Sequence, residues 1–98
     1  MKLNMSSLKF TADQKLINFI QKKADKLDLF YDKIIDGDVC LKLDNGDPKT
    51  NKIVEVKLNV PGSSLFVKET STSFESATDN AVEALRRQLR KYKGKVQS

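Results

Sequence analysis

The fold is decided by Val54-Glu55-Val56-Lys57-Leu58-Asn59-Val60-Pro61-Gly62-Ser63-Ser64-Leu65-Phe66-Val67-Lys68, residues 54–68. Up to residue 60 every second side chain is apolar, which is the period of a strand with one buried face. Pro61-Gly62 then turns the chain, and the alternation resumes with Leu65 and Val67 on the apolar side. Two alternating stretches joined by so short a turn predict an antiparallel hairpin.

A third strand is predicted immediately before this hairpin. Val39, Leu41 and Leu43 occupy every second position, so one face of this stretch is apolar. The intervening residues 44–48 read Asp-Asn-Gly-Asp-Pro, which is typical of a turn because Asn-Gly tolerates positive φ and proline blocks continued pairing. Three strands joined by short turns predict an antiparallel meander.

The N-terminal part predicts a strand followed by a helix. Lys2-Leu3-Asn4-Met5 alternates, although the pattern does not determine which strand it pairs with. Thr11 and Gln14 have the spacing of a capping box, and a helical period runs from Thr11 to about Leu27. The stripe expected to face the core consists of Leu16, Ile17, Ile20, Ala24 and Leu27.

A second helix is predicted near the C-terminus. Thr72 with Glu75, or Ser73 with Ser76, can cap it, and Gly94 is expected to end it. Its apolar face carries Phe74, Thr78, Ala81, Val82, Leu85, Leu89 and Tyr92. The order β-α-β-β-β-α, with one apolar face per element, predicts an α+β fold. Both helices are expected on one face of a four-stranded sheet, with the other face in water.

Positive charge is concentrated at the end of this second helix. Residues 86–95 hold six cations and no acid, whereas the rest of the chain carries 12 Lys and Arg against 13 Asp and Glu. Such a block suits a polyanion such as RNA, because each cation near a phosphate releases a counterion. The alternative is a solvated helix end whose cations complement the helix dipole.

The first helix also carries a line of cations. Lys15, Lys22 and Lys26 are spaced by seven and four residues, and Lys23 lies at their edge. Taken alone, this line is typical of a solvated face. If both helices pack on the same side of the sheet, however, their cationic flanks can form one broad basic surface.

Composition argues against several classes of function. The chain has no histidine and one cysteine, Cys40, so the usual general base, an intrachain disulfide and a cysteine-based structural metal site are excluded. No apolar run is long enough for a membrane span. The acids from Asp28 to Asp38 lack the pattern of a calcium loop. We therefore expect a cytoplasmic protein that is not an enzyme and has no cofactor, metal, membrane partner or small-molecule substrate.

The chain resembles a known family at three places. Residues 77–93 follow a pattern in which Asp79, Leu85 and the run Arg-Gln-Leu-Arg-Lys-Tyr-Lys at 87–93 all match. Residues 10–31 resemble the same family's strand end and capped helix, with cations at matching helix positions. Residues 54–61 resemble that family's third strand. These features are similar to those of the ribosome hibernation promoting factor family, also called ribosome-associated inhibitors or sigma-factor modulation proteins.

The resemblance implies a function and a set of contact residues. Family members share a fold like that of double-stranded RNA-binding domains. They bind the small ribosomal subunit in the mRNA and tRNA channel and inhibit translation during stationary phase or stress. Carried over residue by residue, the positions expected to face ribosomal RNA are Lys22, Lys23, Lys26, Arg87, Arg90, Lys91 and Lys93. Arg86 joins them on helix geometry alone.

The resemblance also bears on domain organisation. We expect a single ribosome-binding domain over residues 1–98, with residues 94–98 as a short tail, no C-terminal dimerisation domain, and a monomer away from the ribosome. One alternative is a free-standing module that binds structured RNA. Another is an interaction module using the open sheet face, where Cys40 and Phe66 are expected to be exposed.

Overall fold

The elements follow the predicted order. A computed structural model describes residues 1–8, 10–44, 46 and 49–97, the last three by their backbone course alone. Within these residues the bounds are β1 Lys2–Leu8, α1 Gln14–Phe30, β2 Asp36–Leu43, β3 Lys52–Val60, β4 Ser63–Ser71 and α2 Phe74–Gln97. The prediction of a β-α-β-β-β-α fold is confirmed.

The sheet has the strand order β1-β2-β3-β4. The pairs β2–β3 and β3–β4 are antiparallel, as the meander predicts, and β1 is parallel to β2. A parallel neighbour requires a crossover connection, which α1 supplies. In register across the sheet lie Met5, Val39, Val56 and Val67, so the apolar side of every strand points the same way.

Both helices cover that apolar side, as predicted. Ile20 and Leu27 of α1 and Leu85 and Leu89 of α2 are buried in one cluster with the sheet residues. The sheet contributes Val39, Leu41, Val54, Val56, Leu58, Val60 and Val67. The opposite side of the sheet stays in water, and Phe66 there is 57% exposed.

The start of α1 differs from the prediction. The Leu16 amide donates to Asp13 Oδ1 at 2.8 Å, so Asp13 is the N-cap, and Thr11 lies outside the helix. The predicted capping box of Thr11 with Gln14 is therefore wrong. Asp13 and Leu16 have the same three-residue spacing, and aspartate caps helices at least as well as threonine does.

The end of α1 also lies beyond the predicted residue Leu27. The helix continues to Phe30, and the amide of Tyr31 donates to the Leu27 carbonyl at 2.8 Å. Tyr31 is only 7% exposed, and its ring meets Tyr92 of α2 edge to face at a centroid distance of 5.9 Å. A tertiary contact, not a turn residue, thus accompanies the helix end.

The start of α2 matches one of the two predicted caps. The Ser76 amide donates to Ser73 Oγ at 3.0 Å, so the pair Ser73 and Ser76 caps the helix.

The end of α2 differs from the prediction, because Gly94 does not end the helix. Among the described glycines only Gly62 has a positive φ, and residues 94–97 are helical, not a separate tail. In the predicted turn at 44–48, Asn45, Asp47 and Pro48 lie outside the described residues.

The N-terminal amine connects the sheet to α1. The α-amino group of Met1 donates to Asp25 at 3.1 Å and also to Asp28. The Gln21 side chain donates to the Met1 carbonyl at 2.9 Å. The hydrogen bond to Asp28 is the main reason that the pKa of this amine is raised above its ordinary value of 8.0, and burial partly opposes it.

The raised pKa predicts that stability falls in mild alkali. A group whose folded pKa exceeds its unfolded pKa contributes its full stabilisation below the unfolded value, near pH 8, and loses it as pH rises through the folded value. We expect Asp28→Asn to be less stable than the wild type at pH 7, with the difference shrinking above pH 8. Urea unfolding at several pH values measures this. A difference that does not change with pH would contradict it.

Candidate nucleic-acid interface

The two helices lie side by side and run in the same direction. Lys23 of α1 meets Asp79 of α2, whereas Phe30, the last residue of α1, meets Lys93 further along α2. Their C-terminal ends, each carrying a partial negative charge of about half an electron, therefore lie together. That shared end is where the predicted cations of both helices gather.

An open groove of about 500 Å³ separates the α1 segment 23–30 from the α2 segment 79–86. We call it the interhelical groove. Lys23 and Lys26 contribute from α1 and Arg86 contributes from α2, so the structure brings together cations from both predicted segments. The separate basic flanks predicted from the sequence thus meet at one surface.

Phe30 organises the cations at the end of this groove. The Nζ of Lys93 donates to the Phe30 carbonyl at 3.1 Å and lies 4.9 Å from the centre of its ring. The guanidinium of Arg86 lies 6.0 Å from the same ring. Cation–π contacts of this kind hold charged side chains near an apolar surface while their outer edges remain hydrated. Phe30 therefore places two α2 cations against α1.

Lys23 has a different role from its neighbours on α1. Its Nζ forms an ion pair with Asp79 at 3.2 Å and lies 5.4 Å from the Phe19 ring. Lys22 and Lys26 are exposed, and no ion pair engages either of them in the described part of the chain. The charge of Lys23 is thus partly compensated within the protein, whereas those of Lys22 and Lys26 remain available to a partner.

The remaining cations of α2 divide between two flanks. Arg90 is exposed four residues after Arg86 and continues the groove side of the helix. Gln88 donates to the Phe66 carbonyl of β4 at 3.2 Å, so its side of α2 faces the sheet edge. Lys91 follows Gln88 by three residues and Arg87 precedes Lys91 by four, which places both toward that far flank. The structure does not bring this pair into the groove.

The sequence did not assign an RNA contact to four residues that line the groove, namely Leu29, Phe30, Asp79 and Glu83. Phe30 lies four residues after Lys26 and seven after Lys23, so extending the helical period by one turn would have placed it beside them. Asp79 and Glu83 follow the same spacing on α2, four residues apart and on the groove side. The early predicted end of α1 is the reason that Phe30 was missed.

Two tyrosine side chains connect the elements at this end of the molecule. The Tyr92 hydroxyl donates to the Pro61 carbonyl, which connects α2 to the turn between β3 and β4. Burial raises the pKa of the Tyr31 phenol above its usual value of 10.0, so this ring stays neutral where it meets Tyr92. The two tyrosines therefore join α2 both to the residue that follows α1 and to the turn between β3 and β4.

The described residues show neither a metal cluster nor a membrane helix. No group of three or more acidic or cysteine side chains among them could hold a metal ion. Likewise, none of the described helices is both long and apolar enough to cross a bilayer. Cys40 on the open sheet face is a partly exposed free thiol. The groove offers the positive charge and hydrogen-bond donors of its cations, beside the carboxylates of Asp79 and Glu83 and apolar side chains.

Comparison with known proteins identifies relatives over nearly the whole chain. The family model described as sigma 54 modulation protein / S30EA ribosomal protein matches residues 3–97. A ribosome hibernation promotion factor from Deinococcus radiodurans is 37% identical over 76 residues, which are 76% of this chain and 40% of that protein. A ribosome hibernation promoting factor from Pseudomonas putida is 29% identical over 98 residues, covering 100% of this chain and 92% of that protein.

Two solved structures share the fold. A ribosomal subunit interface protein from Coxiella burnetii superimposes with a TM-score of 0.85 at 22% identity, covering 96% of this chain and 99% of that one. The N-terminal domain of Protein Y from Thermus thermophilus superimposes with a TM-score of 0.82 at 22% identity, covering 94% and 99%.

Proposed function

Because this chain belongs to the sigma 54 modulation protein / S30EA ribosomal protein family, we propose that it is a ribosome hibernation factor. It binds the small ribosomal subunit in the channel used by mRNA and tRNA, and it inhibits translation during stationary phase or stress. The names of its relatives support the family role. The basic surface on α1 and α2 supports ribosomal RNA as the partner.

The observation that carries this proposal is the convergence of two distant basic segments. Lys93 contacts Phe30 across 63 residues of sequence, and Arg86 reaches the same ring. Lys22, Lys26 and Arg90 extend this surface as exposed cations. A surface of this kind binds phosphates at several points at once, which gives affinity without reading the base sequence.

The proposed mechanism is steric. A compact folded domain occupies the channel, its basic helices contact ribosomal RNA phosphates, and mRNA and tRNA cannot enter. Specificity comes from the shape of the RNA groove and from single-stranded elements within it, because A-form RNA exposes little base information to a helix. This mechanism needs no chemistry from the protein beyond rigid positioning of its cations.

Binding to small subunits is expected to weaken steeply with salt. With about six to eight phosphate contacts, affinity should fall by roughly three decades or more between about 50 and 200 mM monovalent salt. Sedimentation of purified small subunits through sucrose gradients, with the bound protein quantified in each fraction, measures this. Co-sedimentation that barely changes over this range would exclude the basic surface as the binding element.

A plain RNA duplex serves as the comparison in that experiment. A hibernation factor should bind small subunits far more tightly than a base-paired stem at the same salt concentration. Equal affinity for both would favour the alternative of a free-standing module that binds structured RNA. In vitro translation with added protein then tests inhibition directly.

A further inference from the structure

The interhelical groove contains a carboxylate with no partner. Asp79 is paired with Lys23, but Glu83, one turn further along α2, forms no hydrogen bond or ion pair with any described residue. Glu83 is exposed and lies three residues before Arg86, on the same groove. A negative charge thus lies within the surface proposed to bind RNA.

This carboxylate does not suit a surface that contacts phosphates alone. A like charge within several ångströms of a phosphate opposes binding, and each exposed charge near the contact matters most at low salt. A carboxylate is acceptor-only, so it fits a ligand that presents hydrogen-bond donors. In RNA the N–H donors are found on the bases, whereas the backbone presents only the single O–H donor of each 2′-hydroxyl.

The groove also presents an apolar surface beside this acceptor. Leu29 is 90% exposed at the groove, and Phe30 and Val82 are half-buried within it. Phosphates make no use of such a surface, whereas an unstacked base does. Unpaired bases in RNA loops and bulges are held by aromatic and apolar side chains and recognised along their Watson–Crick edges.

We propose that the interhelical groove binds one unpaired guanine of an RNA loop or bulge, with Glu83 accepting hydrogen bonds from its N1–H and N2 amino group. The base covers Leu29, Phe30 and Val82, and Lys26 and Arg86 take the flanking phosphates. This inference rests on the proposed function, because it specifies which part of the RNA the same surface contacts.

Guanine is favoured among the bases by its donor pattern. Its Watson–Crick edge presents two adjacent donors, which match the two oxygens of one carboxylate. Adenine and cytosine each present one donor beside an acceptor nitrogen, which would face the second carboxylate oxygen unfavourably. Uracil presents a single N–H between two carbonyl groups. Only guanine satisfies both oxygens of Glu83 at once.

The test uses Glu83→Gln and a set of short RNA hairpins. Each hairpin has the same paired stem with one bulged nucleotide, either guanine, inosine or uracil, and a fully paired stem is the reference. Glu75→Gln is the matched control, because it removes the same charge from an exposed position of the same helix, about 12 Å away along its axis. Fluorescence anisotropy measures each affinity at fixed salt.

We expect the wild type and Glu75→Gln to bind the guanine bulge about tenfold more tightly than the inosine or uracil bulge, as for a bidentate base contact. Glu83→Gln should lose this preference by weakening guanine binding alone. If Glu83→Gln instead binds every hairpin more tightly, Glu83 only repels phosphates and the inference is overturned. If the wild type binds none of the bulged hairpins more tightly than the fully paired stem, the inference is also overturned.

These outcomes are separable from a failure of the proposed function. The wild type can co-sediment with small subunits in a salt-dependent manner while showing no guanine preference, which removes this inference alone. Absence of co-sedimentation with small subunits removes the hibernation proposal, whatever the hairpins show.

Discussion

A protein with Lys26, Arg86 and Arg90 all changed to glutamine is expected to bind small ribosomal subunits about 100-fold more weakly than the wild type. The three side chains are exposed and lie on the groove side of the two helices. Each lost contact to a phosphate removes about 1 kcal/mol, so three together remove about 3 kcal/mol, or roughly two decades in affinity. The slope of log affinity against log salt should also fall by about two to three.

The control for this variant removes the same charge elsewhere. Lys2, Lys57 and Lys68 are exposed on strands and point to the open side of the sheet, away from both helices. Changing these three to glutamine should leave affinity within a few-fold of the wild type. Equal losses in the two triple variants would mean that net charge, not the basic surface on α1 and α2, drives binding. Circular dichroism of both variants verifies that they remain folded.

Leu85→Ala is expected to lower the free energy of unfolding by about 3–4 kcal/mol. Leu85 is 0% exposed and lies in the cluster where both helices meet the sheet. Truncation removes its buried methyl groups and leaves a cavity that surrounding β-strands cannot collapse to fill, which gives losses of about 2–5 kcal/mol in comparable sites. This is a large part of the stability of a domain of this size. Urea unfolding monitored by circular dichroism measures the change.

Leu29→Ala is the matched control for that measurement. It makes the same chemical change within a helix, but Leu29 is 90% exposed and its side chain packs against almost nothing. Its free energy of unfolding should stay within about 0.5 kcal/mol of the wild type. Comparable losses at Leu29 and Leu85 would contradict the assignment of the core to the shared face of the two helices.

Periodicity in the sequence was sufficient to predict the helices and strands and their order. Alternation over 54–68 predicted the hairpin, and the stripes on residues 16–27 and 74–92 predicted both helices, because burial of one face imposes a period on any strand or helix. Which of the two predicted caps begins α2 was not determined, since Thr72 and Ser73 have equivalent spacings to their partners. Local pattern also could not determine that β1 pairs parallel to β2, because pairing depends on the path of the crossover.

Local signals gave wrong helix ends for a common reason. Leu27 was predicted as the end of α1 and Gly94 as the end of α2, yet both helices continue for three more residues. Glycine lowers helix stability but ends a helix only where the chain adopts a left-handed conformation, which Gly94 does not. The end of α1 coincides instead with the packing of Tyr31 against Tyr92, a contact between residues far apart in sequence.

Sequence alone determined that the chain carries cations on two amphipathic helices, and its periodicity predicted that these helices share one face of a sheet. Only the tertiary structure decided which cations meet. Lys26, Arg86 and Lys93 lie near Phe30. The charge of Lys23 is compensated by Asp79. Arg87 and Lys91 lie on the far flank of α2, outside the groove. The physical reason is that helical period fixes where a side chain lies on its own helix. The rotation and alignment of one helix against another follow from core packing among residues that are distant in sequence.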